Sequence, residues 1–135
     1  MTSPLLLQRH LYADVAALLK WKTMSHVYAI NTGGYHTDIA VTVYSNRIFL
    51  IVSHFKKLGS LITVNRESAL NQFSNNIFST KVIFGKDEVD IHAAARYMAE
   101  QINIDRPMLL SMCLKDYNTE ILKTIINSIN ELKLW

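Results

Sequence analysis

The chain has 135 residues, enough for one domain and too few for two ordinary ones. Half of them are hydrophobic and 19% are charged, a composition that excludes a disordered chain and leaves few charges to cover the surface. The net charge of +3 is spread along the sequence, and only Lys56-Lys57 place two cations side by side, so the basic stripe of a nucleic-acid binder is missing.

Ser3-Pro4 opens the first element, with serine as cap and proline where its missing N–H costs nothing. Leu7, Leu11, Val15 and Leu18 follow at helical spacing, which predicts a helix over about residues 4–22. Gln8, Arg9, His10 and Asp14 interrupt its apolar run, making it a poor signal-peptide core and a poor transit peptide. No run of 18 apolar residues occurs, so no helical membrane span is expected.

From Val27 the period changes to two. Val27 to Asn31 reads as a short strand stopped by the turn Gly33-Gly34. Asp38 to Tyr44 alternates, with Ile39, Val41 and Val43 on one face and Ala40, Thr42 and Tyr44 on the other. Ser45-Asn46 is a two-residue turn candidate. Arg47 to Ser53 is nearly continuous apolar sequence, as in a strand buried on both faces. After His54 to Gly59, with Lys56 and Lys57 at a solvated hairpin tip, residues 60–65 give a fourth strand. Proximity in sequence favours an antiparallel meander for these four.

Residues 66–77 show little periodicity and many Ser and Asn, at the upper end of loop lengths in compact domains. Thr80, Val82 and Phe84 alternate up to Gly85. Asp87, with Asp90 three positions on, caps a helix whose buried stripe is Ile91, Ala95, Met98 and Ile102. Arg106-Pro107 hands over to an apolar strand, Met108 to Leu114. Asn118 or Thr119 then caps a last helix with the stripe Ile121/Leu122, Ile125, Ile129 and Leu132. Terminal Trp135 is expected to pack on the domain or into an interface.

The fold class is α+β: a six-stranded antiparallel sheet, four strands in a meander and then strand-helix-strand-helix, with helices on one face and an N-terminal helix besides. Residues 1–24 form a helical extension and 25–135 a single domain. Six strands about 20 Å long at about 4.8 Å spacing give a face of roughly 580 Å². Two helices of about 16 residues shadow roughly 480 Å², one face and not two. Either the N-terminal helix or a second subunit covers the other face; a second subunit is expected, because one helix would leave about half of it wet, with Val41, Val43, Leu50 and Val52 contributing to that contact and Lys56 and Lys57 at its rim.

Little in the chain points to chemistry. Cys113 and His92 are the one nucleophile–base pairing to weigh, and a thiol inside an apolar strand is usually inert. The five histidines, 10, 26, 36, 54 and 92, lack zinc-ligand spacing, and neither Gly33-Gly34 nor Gly85-Lys86 completes a phosphate loop. No catalytic residue, metal or cofactor is therefore assigned. The single cysteine suits a reducing compartment, cytoplasm or nucleus.

Three blocks carry a resemblance. "TVYSNRIFLIVSHFKKLGSLI" contains an F-x-K-[LM]-G-[ST]-L core at Phe55, Lys57, Leu58, Gly59, Ser60 and Leu61. "STKVIFGKDEVDIHAAARYMAE" contains T-K-V, two apolar residues and G-x-D-E over Thr80 to Glu88, then Ile91-His92. "LLSMCLKD" precedes a helix near Trp135. In this order and spacing, over about Gly34 to Trp135, the blocks resemble the proteasome assembly chaperone 3 family. The resemblance implies a non-enzymatic chaperone acting as a dimer, paired with a proteasome assembly chaperone 4-like subunit or with itself. It also implies early assembly of the proteasome alpha-subunit ring, through alpha subunits and alpha-type-5 in particular, without nucleic acid or membrane. The stretch before Met24 has no counterpart in the family, which makes it an extension or Met24 the start, and the 66–77 loop does not match. A small roadblock- or longin-like scaffold subunit of a trafficking or GTPase-regulating complex is the alternative, though such folds usually break up four successive strands with helices.

Overall fold

A computed structural model describes residues 24–67 and 77–135. The elements follow in the order β1 (Met24–Thr32), β2 (Tyr35–Val43), β3 (Ile48–Ser53), β4 (Ser60–Arg66), β5 (Phe78–Phe84), α1 (Val89–Ile102), β6 (Met108–Cys113) and α2 (Thr119–Leu132). The expected helix over 4–22 and most of the 66–77 loop lie outside the described residues.

The two predicted hairpin turns form. Gly33 and Gly34 take φ of +58° and +86°, the pair of positive values that a tight two-residue turn between twisted strands requires. The Gly34 N–H donates to Asn31 Oδ1 at 3.0 Å. Ser45-Asn46 turns β2 into β3, closed by the Tyr44 N–H on the Arg47 carbonyl at 2.8 Å.

The meander stops there. Strands run in the order β1-β2-β3-β6-β4-β5, so β6 enters between β3 and β4. It pairs parallel to β3 and antiparallel to β4, making the sheet mixed and correcting the purely antiparallel expectation. The cause is physical: β6 reads MLLSMC, too apolar for an edge, and the centre of the sheet is where both its edges are paired and one face lies under the helices. The ladder extends past the strand ends through Ile48 N–H to Pro107 O at 2.9 Å and His54 N–H to Cys113 O at 2.8 Å.

Both described helices lie on one face. Their predicted stripes are buried at Ile91, Ala95, Met98 and Ile102 in α1 and at Ile121, Leu122, Ile125 and Ile129 in α2. Beneath them sit Ile39, Val41, Val43, Ile48, Leu50 and Val52, with Ile62, Val64, Leu110 and Met112 alongside. Asn118 caps α2, its Oδ1 accepting from the Glu120 N–H at 2.8 Å. Asp87 does not cap α1: the cap position is Glu88, without a side-chain bond, and Asp87 instead reaches the His92 imidazole. Trp135 folds back on the domain, its Nε1–H donating to the Asn103 carbonyl at 3.4 Å.

Candidate interaction surfaces

Three connections meet at the end of the sheet where the helices begin: His54–Gly59 after β3, Gly85–Glu88 before α1, and Leu114–Asn118 before α2. Ser53 shapes the first, its hydroxyl accepting from the Phe55 N–H at 3.2 Å and the Lys57 N–H at 3.0 Å. This turn presses its backbone onto β6 at Gly59, where a Cβ would stand 1.8 Å from the Met112 carbonyl oxygen, so no other residue fits. Ser60 Oγ donates to the Lys86 carbonyl at 3.3 Å, tying the first connection to the second.

His54 ties in the third. Its Nδ1 accepts from the Lys115 N–H at 2.9 Å, which leaves the proton on Nε2 to reach Thr32 Oγ1 at 2.8 Å. Thr32 in turn bonds Thr37 at 2.6 Å, and Thr37 reaches the Tyr35 carbonyl at 3.3 Å. One buried imidazole thus connects β1, β2 and the connection before α2. Burial holds its pKa below the ordinary value, partly offset by the Asp116 carboxylate.

Around this frame Leu58, Phe84 and Val89 are 73%, 74% and 80% exposed, three large apolar side chains, one on the first connection and two flanking the second. Leu58, Phe84, Gly59, Gly85 and Tyr117 line a cleft of about 480 Å³. Alternation alone did not single these residues out. The available signal was the unbroken Val82-Ile83-Phe84 run at the end of a strand otherwise alternating.

The second surface is the sheet face that carries no described helix. Register places Val27, Ala40, Ile51, Ser111 and Leu61 in one row across five strands. Beside it run Thr42, Phe49, Leu109 and Thr63. Ser111 stands at the middle with its hydroxyl buried and without a hydrogen-bond partner among the described residues.

Of the residues predicted for a partner face, Val41, Val43, Leu50 and Val52 are 1%, 5%, 1% and 0% exposed. They lie under α1 and α2, not on the face without a described helix, a correction with a simple cause. A chain's own helices take the more uniformly aliphatic side of its sheet, and Ile39, Val41 and Val43 outdo Ala40, Thr42 and Tyr44 in that respect. Lys56 and Lys57 are exposed, on the connection that holds Leu58. Cys113 and His92 are not brought together: Cys113 is on the face without a described helix, whereas His92 sits on α1 across the sheet, bonded to Thr80 Oγ1 at 2.6 Å. No described helix is long and apolar enough to cross a membrane.

The proteasome assembly chaperone 3 family model matches residues 50–132, from within β3 to the last residue of α2. The chain belongs to the proteasome assembly chaperone 3 family. Proteasome assembly chaperone 3 of Mus musculus and that of Homo sapiens are each 30% identical to it over 105 residues, covering 76% of this chain and 86% of theirs. The Nematostella vectensis member is 30% identical over 110 residues, covering 74% and 82%. The fold matches a chain in the crystal structure of a novel chaperone complex for yeast 20S proteasome assembly, with a TM-score of 0.64 at 15% identity, over 81% of this chain and 98% of that one. The stretch matched to the family contains all three connections at the helix-start end, most of β3, and β6 and β4 whole, the centre of the face that carries no described helix.

Proposed function

We propose that the chain is a non-enzymatic chaperone subunit that works as a dimer in early assembly of the proteasome alpha-subunit ring. Its partner is a related small subunit of the chaperone 4 kind or a second copy, and its clients are alpha subunits, alpha-type-5 first among them. The cytoplasm or nucleus is its place of work, in keeping with one unpaired cysteine.

The observation that carries the dimer is the Val27–Ala40–Ile51–Ser111–Leu61 row. It presents the apolar side chains of Val27, Ile51 and Leu61 on a face that no described helix covers, an arrangement that gains free energy when a second surface takes them out of water. Its residues lie in the centre of a sheet large enough to supply one side of a standard interface. The family, together with a yeast fold neighbour that comes from a chaperone complex, supports looking for a chaperone partner.

The test is a pull-down of the tagged chain from extract lacking assembled proteasomes, with mass spectrometry of what is recovered. A second small chaperone with alpha subunits and few beta subunits supports the reading, and recovery of the chain with itself selects the homodimer. A trafficking or GTPase-regulating complex in their place overturns it.

A further inference from the structure

The chain enters β1 at Met24, on an edge of the sheet, and residues 1–23 precede it. Their sequence predicts a helix over about residues 4–22, with Leu7, Leu11, Val15 and Leu18 on one stripe. Where such a segment can lie is restricted by what already stands at that edge. On the helix side of β1 the Tyr28 hydroxyl meets Ser128 of α2 at 2.9 Å, so that side is taken. On the other side β1 presents Ser25, Val27 and Ala29, and β2 presents Ala40 and Thr42, all exposed or half-buried. Val27 is 73% exposed, a large apolar side chain at the end of an otherwise apolar row.

The dimensions agree with that side. β1 and β2 are nine residues each, about 30 Å long. Residues 5–19 as a helix measure about 23 Å. Residues 20–23 reach about 13 Å when extended, enough to cross the roughly 10 Å between packed layers. Ala29 and Ala40 are small beside Phe49 and Ile51 on β3, so a helix can come close over the first two strands.

We infer that residues 5–19 of this chain lie as a helix along β1 and β2 on the face without a described helix, with Leu7, Leu11, Val15 and Leu18 against Val27, Ala40 and Ile51. Removing both apolar surfaces from water drives the contact. The short connection holds the stripe at the face at an effective concentration on the order of millimolar. A helix about 10 Å wide covers the β1–β3 half of the sheet and leaves β6, β4 and β5. Val27, Ala40 and Ile51 also belong to the row proposed for the dimer, so a partner reaches them only by displacing the segment. That consequence rests on the proposed dimer; the place of the segment on the face does not.

Photo-crosslinking of the full chain tests it, with benzoylphenylalanine in place of Val27 or of Ile51 and an equal mixture of unlabelled and isotope-labelled protein at micromolar concentration. Mass spectrometry should find both positions linked to residues 7–18, with both ends of each link in a chain of one isotope. Leu7→Asp/Leu11→Asp/Val15→Asp should lower the yield at least about tenfold, because carboxylates cannot replace the apolar stripe. Links that mix isotopes overturn the inference, as do a yield unchanged in that variant or no link from either position to residues 7–18. Light scattering of the unsubstituted chain reads the dimer separately. A dimer without the links sinks the inference and keeps the proposed function, and a monomer with them does the reverse.

Discussion

The Lys115 amide donates to Nδ1 of His54 at 2.9 Å, and this bond fixes both the tautomer of a buried imidazole and the path of the chain into α2. The neutral ring is the form that can accept there, and burial depresses its pKa from the ordinary value of 6.5. An unfolded chain therefore takes up the proton more readily than the folded one. The stability contributed by neutral His54 is complete above pH 6.5 and is lost as pH falls toward the depressed folded-state value. Urea unfolding of the native chain and of His54→Gln, compared at pH 7.5 and pH 5, should show the stability gap narrowing at the lower pH. A gap that stays constant or widens would show that the ring is not held neutral.

Gly59 has no substitute. In Gly59→Ala the new methyl meets the Met112 carbonyl oxygen at 1.8 Å, a backbone atom that cannot rotate away, and the central strand must move. A loss of about 3 kcal/mol or more is expected in denaturant unfolding. Gly34→Ala is the matched control, since nothing lies within 4 Å of its Cβ and only the positive φ of 86° is penalised. That cost is about 1 kcal/mol.

Charge placed on the two faces of the sheet should give opposite phenotypes. Val41→Asp buries an unpaired carboxylate at a position 1% exposed, beneath the helices, and should abolish cooperative unfolding. Ile51→Glu lies in the uncovered row and should leave a folded chain, seen as an unchanged circular dichroism spectrum, while eliminating the dimer in light scattering. If Ile51→Glu stays dimeric, that face is not the interface.

Ser111→Ala removes a buried hydroxyl that has no partner among the described residues. The isolated subunit should gain stability, by up to about 1 kcal/mol in thermal unfolding. A large destabilisation of the isolated subunit would mean that the hydroxyl is already satisfied within it.

Periodicity found the described elements because each obeys a local rule. Ile39, Val41 and Val43 recur at two residues, and Ile91, Ala95, Met98 and Ile102 at three and four. The sheet order was out of reach of those rules. The neighbours Leu50 and Leu110 are distant in sequence, and their pairing depends on which strand is apolar enough to take the centre. Alternation also says which residues share a face without saying which face is covered. For that reason Val41 and Leu50 were assigned to a partner while Ile51 and Phe49 were passed over. The cluster at the helix-start end was partly visible: Gly59, Gly85 and Lys115 all fall in blocks that carry the family resemblance. That His54 links the strands to the third block is a tertiary fact no spacing encodes.

The central position of β6 has a consequence for how the protein is made. During synthesis β1 to β3 emerge as one antiparallel ribbon and β4 to β5 as another, each with an inner edge that has no strand to pair with. The two become one sheet only when Met108–Cys113 leaves the ribosome and α2 follows to cover it. Until then the nascent chain carries two open edges and no closed core, and a chain cut before Met108 is expected to aggregate. A protein assigned to guiding the assembly of others spends most of its own synthesis exposed to misassembly.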